Sequence, residues 1–145
     1  MAWNKGITEE RDVLVLPAKA DGTINPYCIV IAGTDEDEVQ DASDGTAWPI
    51  GVTSDASEVN KASYADHDSV NVKYSGIVKI SMASTGARGD RVVATTAGQG
   101  TRHDMQTEGV WIIGYAMEAW TAGQVIPVLI SRQLIADTEG INTAL

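Results

Sequence analysis

The residues that could carry chemistry are few and scattered. His67 stands between Asp66 and Asp68, and His103 precedes Asp104. Neither spacing matches a metal site built from paired histidines or cysteines, so both are expected as solvated loop histidines. The single cysteine, Cys28, lies in the strand-like run Tyr27-Cys-Ile-Val-Ile31. There a buried, inert thiol is expected rather than a nucleophile. One cysteine also excludes an intramolecular disulfide framework and a multi-cysteine zinc site. The acidic run Asp35-Glu-Asp-Glu38, with Asp41 and Asp44-Gly45, fits no register of a calcium loop and reads as a solvated acidic loop. Gly98-Gln-Gly100 is followed by neither a Lys-Thr pair nor a helix start, so it is no phosphate cradle. No Gly-x-Ser-x-Gly occurs, and carboxylate pairs cannot be chosen among 20 acidic residues by spacing alone. Arg88-Gly89-Asp90 spells an adhesion tripeptide, but Gly89 also suits a turn before a strand. No catalytic constellation emerges, and no cofactor or metal is expected; the chain reads as a binding or structural part, not an enzyme.

The elements that would position these residues are short and β-like. Val13-Leu-Val-Leu16 is a strand stopped by Pro17 and the turn signal Asp21-Gly22; Tyr27–Ile31 and Trp48–Val52 are the next two. Asp55 and Glu58 have capping-box spacing, which predicts a short helix or turn over 55–63. From Val70 to Met82 the even positions are Val, Val, Tyr, Gly, Val, Ile and Met, whereas the odd ones are mostly polar. That period of two predicts a long strand with one buried face, and Gly76 at its middle predicts a bend or a close approach of another segment. Arg91–Ala94, Val110–Tyr115 and Val125–Ile130 follow in the second half, and Pro127 suggests a sheet edge facing a neighbouring protomer.

The halves repeat. At an offset of 63 residues Trp48 falls on Trp111, Ile50 on Ile113 and Gly51 on Gly114. Ile29 and Val30 fall on Val92 and Val93, and Pro26 on Gly89; an insertion around 60–67 then breaks the offset. The expected fold is all-β: a small barrel or sandwich of two related three-stranded units, 26–82 and 89–130, with the repeated tryptophans in the core. Residues 1–12 are expected as an extended arm, 13–130 as one β domain, and 131–145 as a polar tail.

Composition sets the outer bounds. With 145 residues the chain is one domain, able to bury roughly two-thirds of its unfolded surface. Twenty acidic against 10 basic residues give a net charge of -10, which disfavours nucleic acid as partner. No apolar stretch reaches membrane-spanning length, and the N-terminal residues lack the apolar core of a secretory signal, so no membrane partner is expected.

The order of motifs resembles the head decoration, or capsid cement, proteins of tailed bacteriophages. It is carried by Gly89-Asp-Arg-Val-Val-Ala94, Ile113-Gly-Tyr-Ala116 and Thr121-Ala-Gly-Gln-Val-Ile-Pro-Val128 in the second half. Ile50-Gly-Val-Thr53 and Ser69-Val-Asn-Val72, with Gly76 beyond, carry it in the first half. The resemblance implies a homotrimer, made in the host cytoplasm, that binds the major capsid protein on the outside of the expanded shell and stabilises it. It further implies an N-terminal arm that contacts the shell through Trp3, Asn4 and Ile7. Two other readings stand beside it: an adhesion module using an exposed loop such as 86–90, and a small β-barrel hydrolase with an unrecognised site.

Overall fold

The computed structural model describes residues 10–54, 62–104 and 106–135. The predicted helix over 55–63 falls almost entirely outside them, as do Trp3, Asn4 and Ile7. Among the described residues nine strands form one sheet: β1 (Arg11–Ala20), β2 (Ile29–Ala32), β3 (Glu38–Asp41), β4 (Gly51–Thr53), β5 (Ser69–Ser81), β6 (Arg91–Ala94), β7 (Gly100–Arg102), β8 (Trp111–Ala116) and β9 (Val125–Leu134). The all-β class is as expected; the only helical element among the described residues is a single 3-10 turn, Thr96–Gly98.

Strand order is β1-β3-β2-β4-β5-β9-β8-β6-β7, and β1 also pairs with β5. The first five strands therefore close on themselves as a small barrel. The second set, β5-β9-β8-β6-β7, is brought nearly to closure by a parallel bridge from Met82 to Gly100. The repeated unit thus has five strands rather than three, and β5 belongs to both copies. Its N-terminal part pairs Lys19 with Ser69 through Val15 with Lys73. Its C-terminal part pairs Ser81 with Val125 through Ile77 with Leu129 in the equivalent register. Gly76 sits at the handover with φ +93, and a Cβ there would collide with the carbonyls of Arg11 and Asp12. Only glycine meets both demands, so the bend and the close approach expected of it are both present.

Each barrel fills its interior with equivalent residues of different sizes. Ala20, Ile24, Val30, Val39, Tyr64, Val70 and Val72 form the first core. Met82, Val92, Trp120, Ile126 and Val128 take the matching places in the second. The bridge pairing Ile24 with Tyr64 recurs as Gly86 with Trp120, where the larger indole occupies the space a Cβ on Gly86 would need. Likewise small Ala20 faces Val39, whereas large Met82 faces Gly100. Volume is conserved across each pair, as close packing requires.

Several expectations are corrected here. The aromatic pair that fills the two cores is Tyr64 and Trp120; Trp48 is 51% exposed and Trp111 half-buried, while Gly51, Ile113 and Gly114 are buried and Ile50 half-buried. Pairing of Ile29 with Val52 corresponds to pairing of Arg91 with Tyr115, so Ile29 and Val30 fall on Arg91 and Val92, one residue from the expected register. A slip of one residue exchanges faces. Ile29 is buried because the outer face of the first barrel packs against the second half, and its counterpart Arg91 has no such cover. Pro17 lies inside β1 opposite Asn71 rather than ending it, because β3 joins the other side of β1 only at Lys19. Pro127 is buried between β5 and β8, not at an edge; β8 ends at Ala116 opposite Val128, so no ladder bond from Pro127 is missed. β3 falls within the stretch read as an acidic loop, with Glu38 buried and Asp41 half-buried. β9 continues to Leu134, four residues into the expected tail, because Gln133 and Leu134 pair with Ile112 and Trp111. The insertion in the first half lies between Thr53 and Tyr64, not at 60–67.

Candidate functional site

Four equivalent turns lead into strands and hold the loop ends of both barrels. Their left-handed residues are Tyr27, His67, Gly89 and Gly123. In each, that residue donates its N–H across the barrel, to the carbonyls of Thr53, Ala20, Ala116 and Met82 respectively. In three of them the next side chain accepts from the turn's own backbone: Asp68 from Ala65, Asp90 from Ala87, and Gln124 from Thr121. Where Cys28 takes that place, the Thr53 hydroxyl substitutes. It donates to the Asn25 carbonyl at 2.8 Å and accepts from the Cys28 N–H at 3.1 Å.

The Arg88-Gly89-Asp90 tripeptide is one of these turns. Asp90 accepts from Ala87 at 2.8 Å and pairs with Arg102 at 3.4 Å. Its Oδ2 is thereby engaged in holding the turn. His103 is buried, not solvated, with Nε2 2.8 Å from the Thr107 carbonyl, while His67 is exposed beside Asp66 and Glu38. Asp104 stands well below the usual carboxylate range, at about 2, because the Thr107 backbone and hydroxyl and the Gln106 backbone donate to it. Burial pushes the Cys28 thiol up to about 12, with Asp41 adding to the shift, which disfavours the thiolate form. Among the described residues no group of three or more histidine, cysteine or carboxylate side chains could hold a metal ion.

What remains is a surface at the end of the first barrel. Leu16 on β1, Trp48 and Ile50 before β4, Tyr74 on β5 and Arg132 on β9 line a shallow groove of about 360 Å³. Leu14, Leu16, Trp48 and Tyr74 are all substantially exposed there or beside it. Leu16 pairs with Val72, so it continues the inward face of β1 past the point where the core is closed. Arg132 builds the groove's far wall. Its Nε donates to the Pro49 carbonyl at 2.6 Å, and its Nη2 donates to the carbonyls of Ile50 and Tyr74. The guanidinium lies over the Trp48 ring, 5.2 Å from its centroid. These contacts fix the indole as a rigid, outward-facing plate. The groove's entire charge is this one cation, partly desolvated so that its pKa is lowered by burial.

Sequence reasoning placed Trp48 and Ile50 in the core and overlooked Leu16, Tyr74 and Arg132. Tyr74 carried a signal: it is the one bulky aromatic on the buried face of the long alternating strand. Arg132 carried none, being 83 residues from the carbonyl it caps.

No family model matches the chain, and no curated protein matches it. Among solved structures, the N base of the head fiber gp8.5 of bacteriophage phi29 superposes with a TM-score of 0.63 at 19% identity. The match covers 82% of this chain and 94% of that one. The two share one fold. The likeness to the head-fiber base therefore takes in most of the described architecture, and at this level of identity it concerns the backbone arrangement.

Proposed function

We propose that this chain is a structural protein of a tailed-phage virion, which binds the outer surface of the mature head as a trimer and stabilises the shell. The observation that carries the reading is the fold shared with a phage head-fiber base over nearly that base's whole length. The Ile-Gly pairs at Ile50-Gly51 and Ile113-Gly114, read from sequence as decoration-protein features, fall at corresponding places in the two barrels, and Gly89-Asp-Arg-Val92 leads into the strand that pairs with the second of them. An acidic chain with an acid-free apolar groove suits a protein held by a few contacts on a shell. The role is binding, with no reaction assigned. Stabilisation follows from mass action: a protein that binds only the mature lattice lowers that lattice's free energy at every occupied site, and a trimer multiplies weak contacts.

The test is co-sedimentation of the purified protein with expanded empty heads of the phage that encodes it, with light scattering on the free protein. Saturable pelleting with expanded heads, a trimeric mass, and heads that resist heat or chelator longer when decorated are the expected results. A protein that stays in the supernatant at micromolar concentrations defeats the reading; a monomer that still pellets defeats only its trimeric part.

A further inference from the structure

We propose that the groove of Leu16, Trp48, Ile50, Tyr74 and Arg132 is the surface that engages the head. Its partner is a shell-subunit segment presenting a bulky apolar side chain beside a carboxylate. The inference rests on the head-binding reading above and names the surface and the partner's chemistry.

Three observations support it. The groove's lining has no carboxylate, although the chain carries 20 acidic residues. Exposed tryptophan, tyrosine and arginine around a concave apolar floor are the residue types that dominate binding energy at protein interfaces. Third, the donors of Arg132 are unequally used. Nε and Nη2 are spent on three backbone carbonyls, which locks the side chain in place, whereas Nη1 donates to no described group. A purely apolar lid over the groove would strip Nη1 of water and leave a buried cation with unmet donors. A partner carboxylate answers both its charge and its two N–H groups, and the preorganised guanidinium loses little freedom on meeting it.

The same geometry disfavours a second copy as occupant. Two grooves face to face would bring one Arg132 against the other and offer neither cation a carboxylate. A tether of the chain's own residues 1–9, which contain Trp3 and Ile7, is the remaining competitor and becomes an arm of the test.

The experiment compares wild type, Trp48→Ala, Leu16→Glu and a chain lacking residues 2–9 in co-sedimentation with expanded heads, after each is shown to keep its melting temperature, and the oligomeric mass of each is measured alongside. Trp48 and Leu16 are exposed, so their replacement leaves the cores intact. We expect Trp48→Ala to weaken head binding about thirtyfold or more, as loss of a central anchor does. Leu16→Glu should weaken it further, by setting a carboxylate against the partner's own. Wild type that binds heads, with both variants binding equally well, overturns the groove as the docking surface and leaves the head-binding reading standing. Wild type that fails to bind overturns both. A change of oligomeric mass in Trp48→Ala assigns the groove to a second copy and overturns the proposal. So does loss of head binding by the chain lacking residues 2–9 while Trp48→Ala binds as wild type does, since the terminus and not the groove would then carry the contact.

Discussion

Replacing Asp41 with asparagine should stabilise the protein at pH 8 and leave it unchanged near pH 3.5. Asp41 ends β3 opposite Val30, beneath the left-handed Ala97–Gly98 corner that the second half lays on the first. Its Oδ1 is buried without a hydrogen-bond partner among the described residues, and Gly98 is held directly over it by donating to the Ala42 carbonyl at 2.7 Å. Burial alone raises its pKa from 3.8 to about 6. At about 1.4 kcal/mol for each tenfold change in proton affinity the shift is worth at most about 3 kcal/mol, and because Asp41 is only half-buried, solvent screening reduces the penalty on ionisation to roughly 1–2 kcal/mol. The sign follows from proton counting. Below pH 4 folded and unfolded chains are both protonated and the penalty is absent. Between pH 4 and 6 the folded chain holds the proton that the unfolded chain has lost, so stability falls as pH rises; above about 6 the full penalty applies. Asparagine keeps the shape and removes the charge. Urea unfolding followed by tryptophan fluorescence, at pH 3.5 and pH 8, reads the difference. With a slope of roughly 1–3 kcal/mol per molar urea, the midpoint of Asp41→Asn should exceed that of wild type by roughly 0.5–1 M at pH 8. A variant whose advantage is the same at both pH values, or that is less stable at pH 8, refutes the account of Asp41 as an ionised, unsatisfied group.

Gly76→Ala should lower stability by about 3 kcal/mol or more, because φ +93 and the carbonyls of Arg11 and Asp12 both reject a Cβ; calorimetry reads the loss, and an unchanged melting temperature removes the handover role given to Gly76. Asp90→Ala should cost about 1–2 kcal/mol through the lost bond from Ala87, without altering adhesion to integrin-bearing cells. A specific loss of cell binding at unchanged stability would restore the tripeptide as a recognition site.

The sequence was legible where one signal dominated. Along β5 the alternation from Val70 to Met82 survives intact, because every even position except Tyr74 and Gly76 faces one barrel core or the other. The duplication was visible as well, since Gly51 and Gly114 are both buried at the same strand crossing. Local pattern failed where a partner distant in sequence decided the outcome. Glu38-Val-Gln-Asp41 has the composition of a loop, yet it is a strand because β1 and β2 flank it. Pro127 was read by a rule for edges, but β8 happens to stop beside it. Trp48 looked like core because tryptophan usually is; it faces outward because Tyr64 already fills the first barrel and Arg132 braces the indole from outside. The groove draws on four separate stretches of chain and has no contiguous signature.

The shared strand also dictates an order of events as the chain leaves a ribosome. Segments β1 to β4 emerge first but enclose nothing, since the wall that joins β4 back to β1 is β5, whose last residue is Ser81. When β5 appears it completes one barrel and at once offers its far end as the template for β9, the last of the described strands to be made. The second barrel therefore grows on an edge the first has already straightened and pinned at Gly76. Closure depends on partners far apart along the chain, which makes it slow. A ribosome-bound chain stalled before residue 69 should be wholly susceptible to protease, and one stalled after residue 81 with its exit cleared should protect its first half alone.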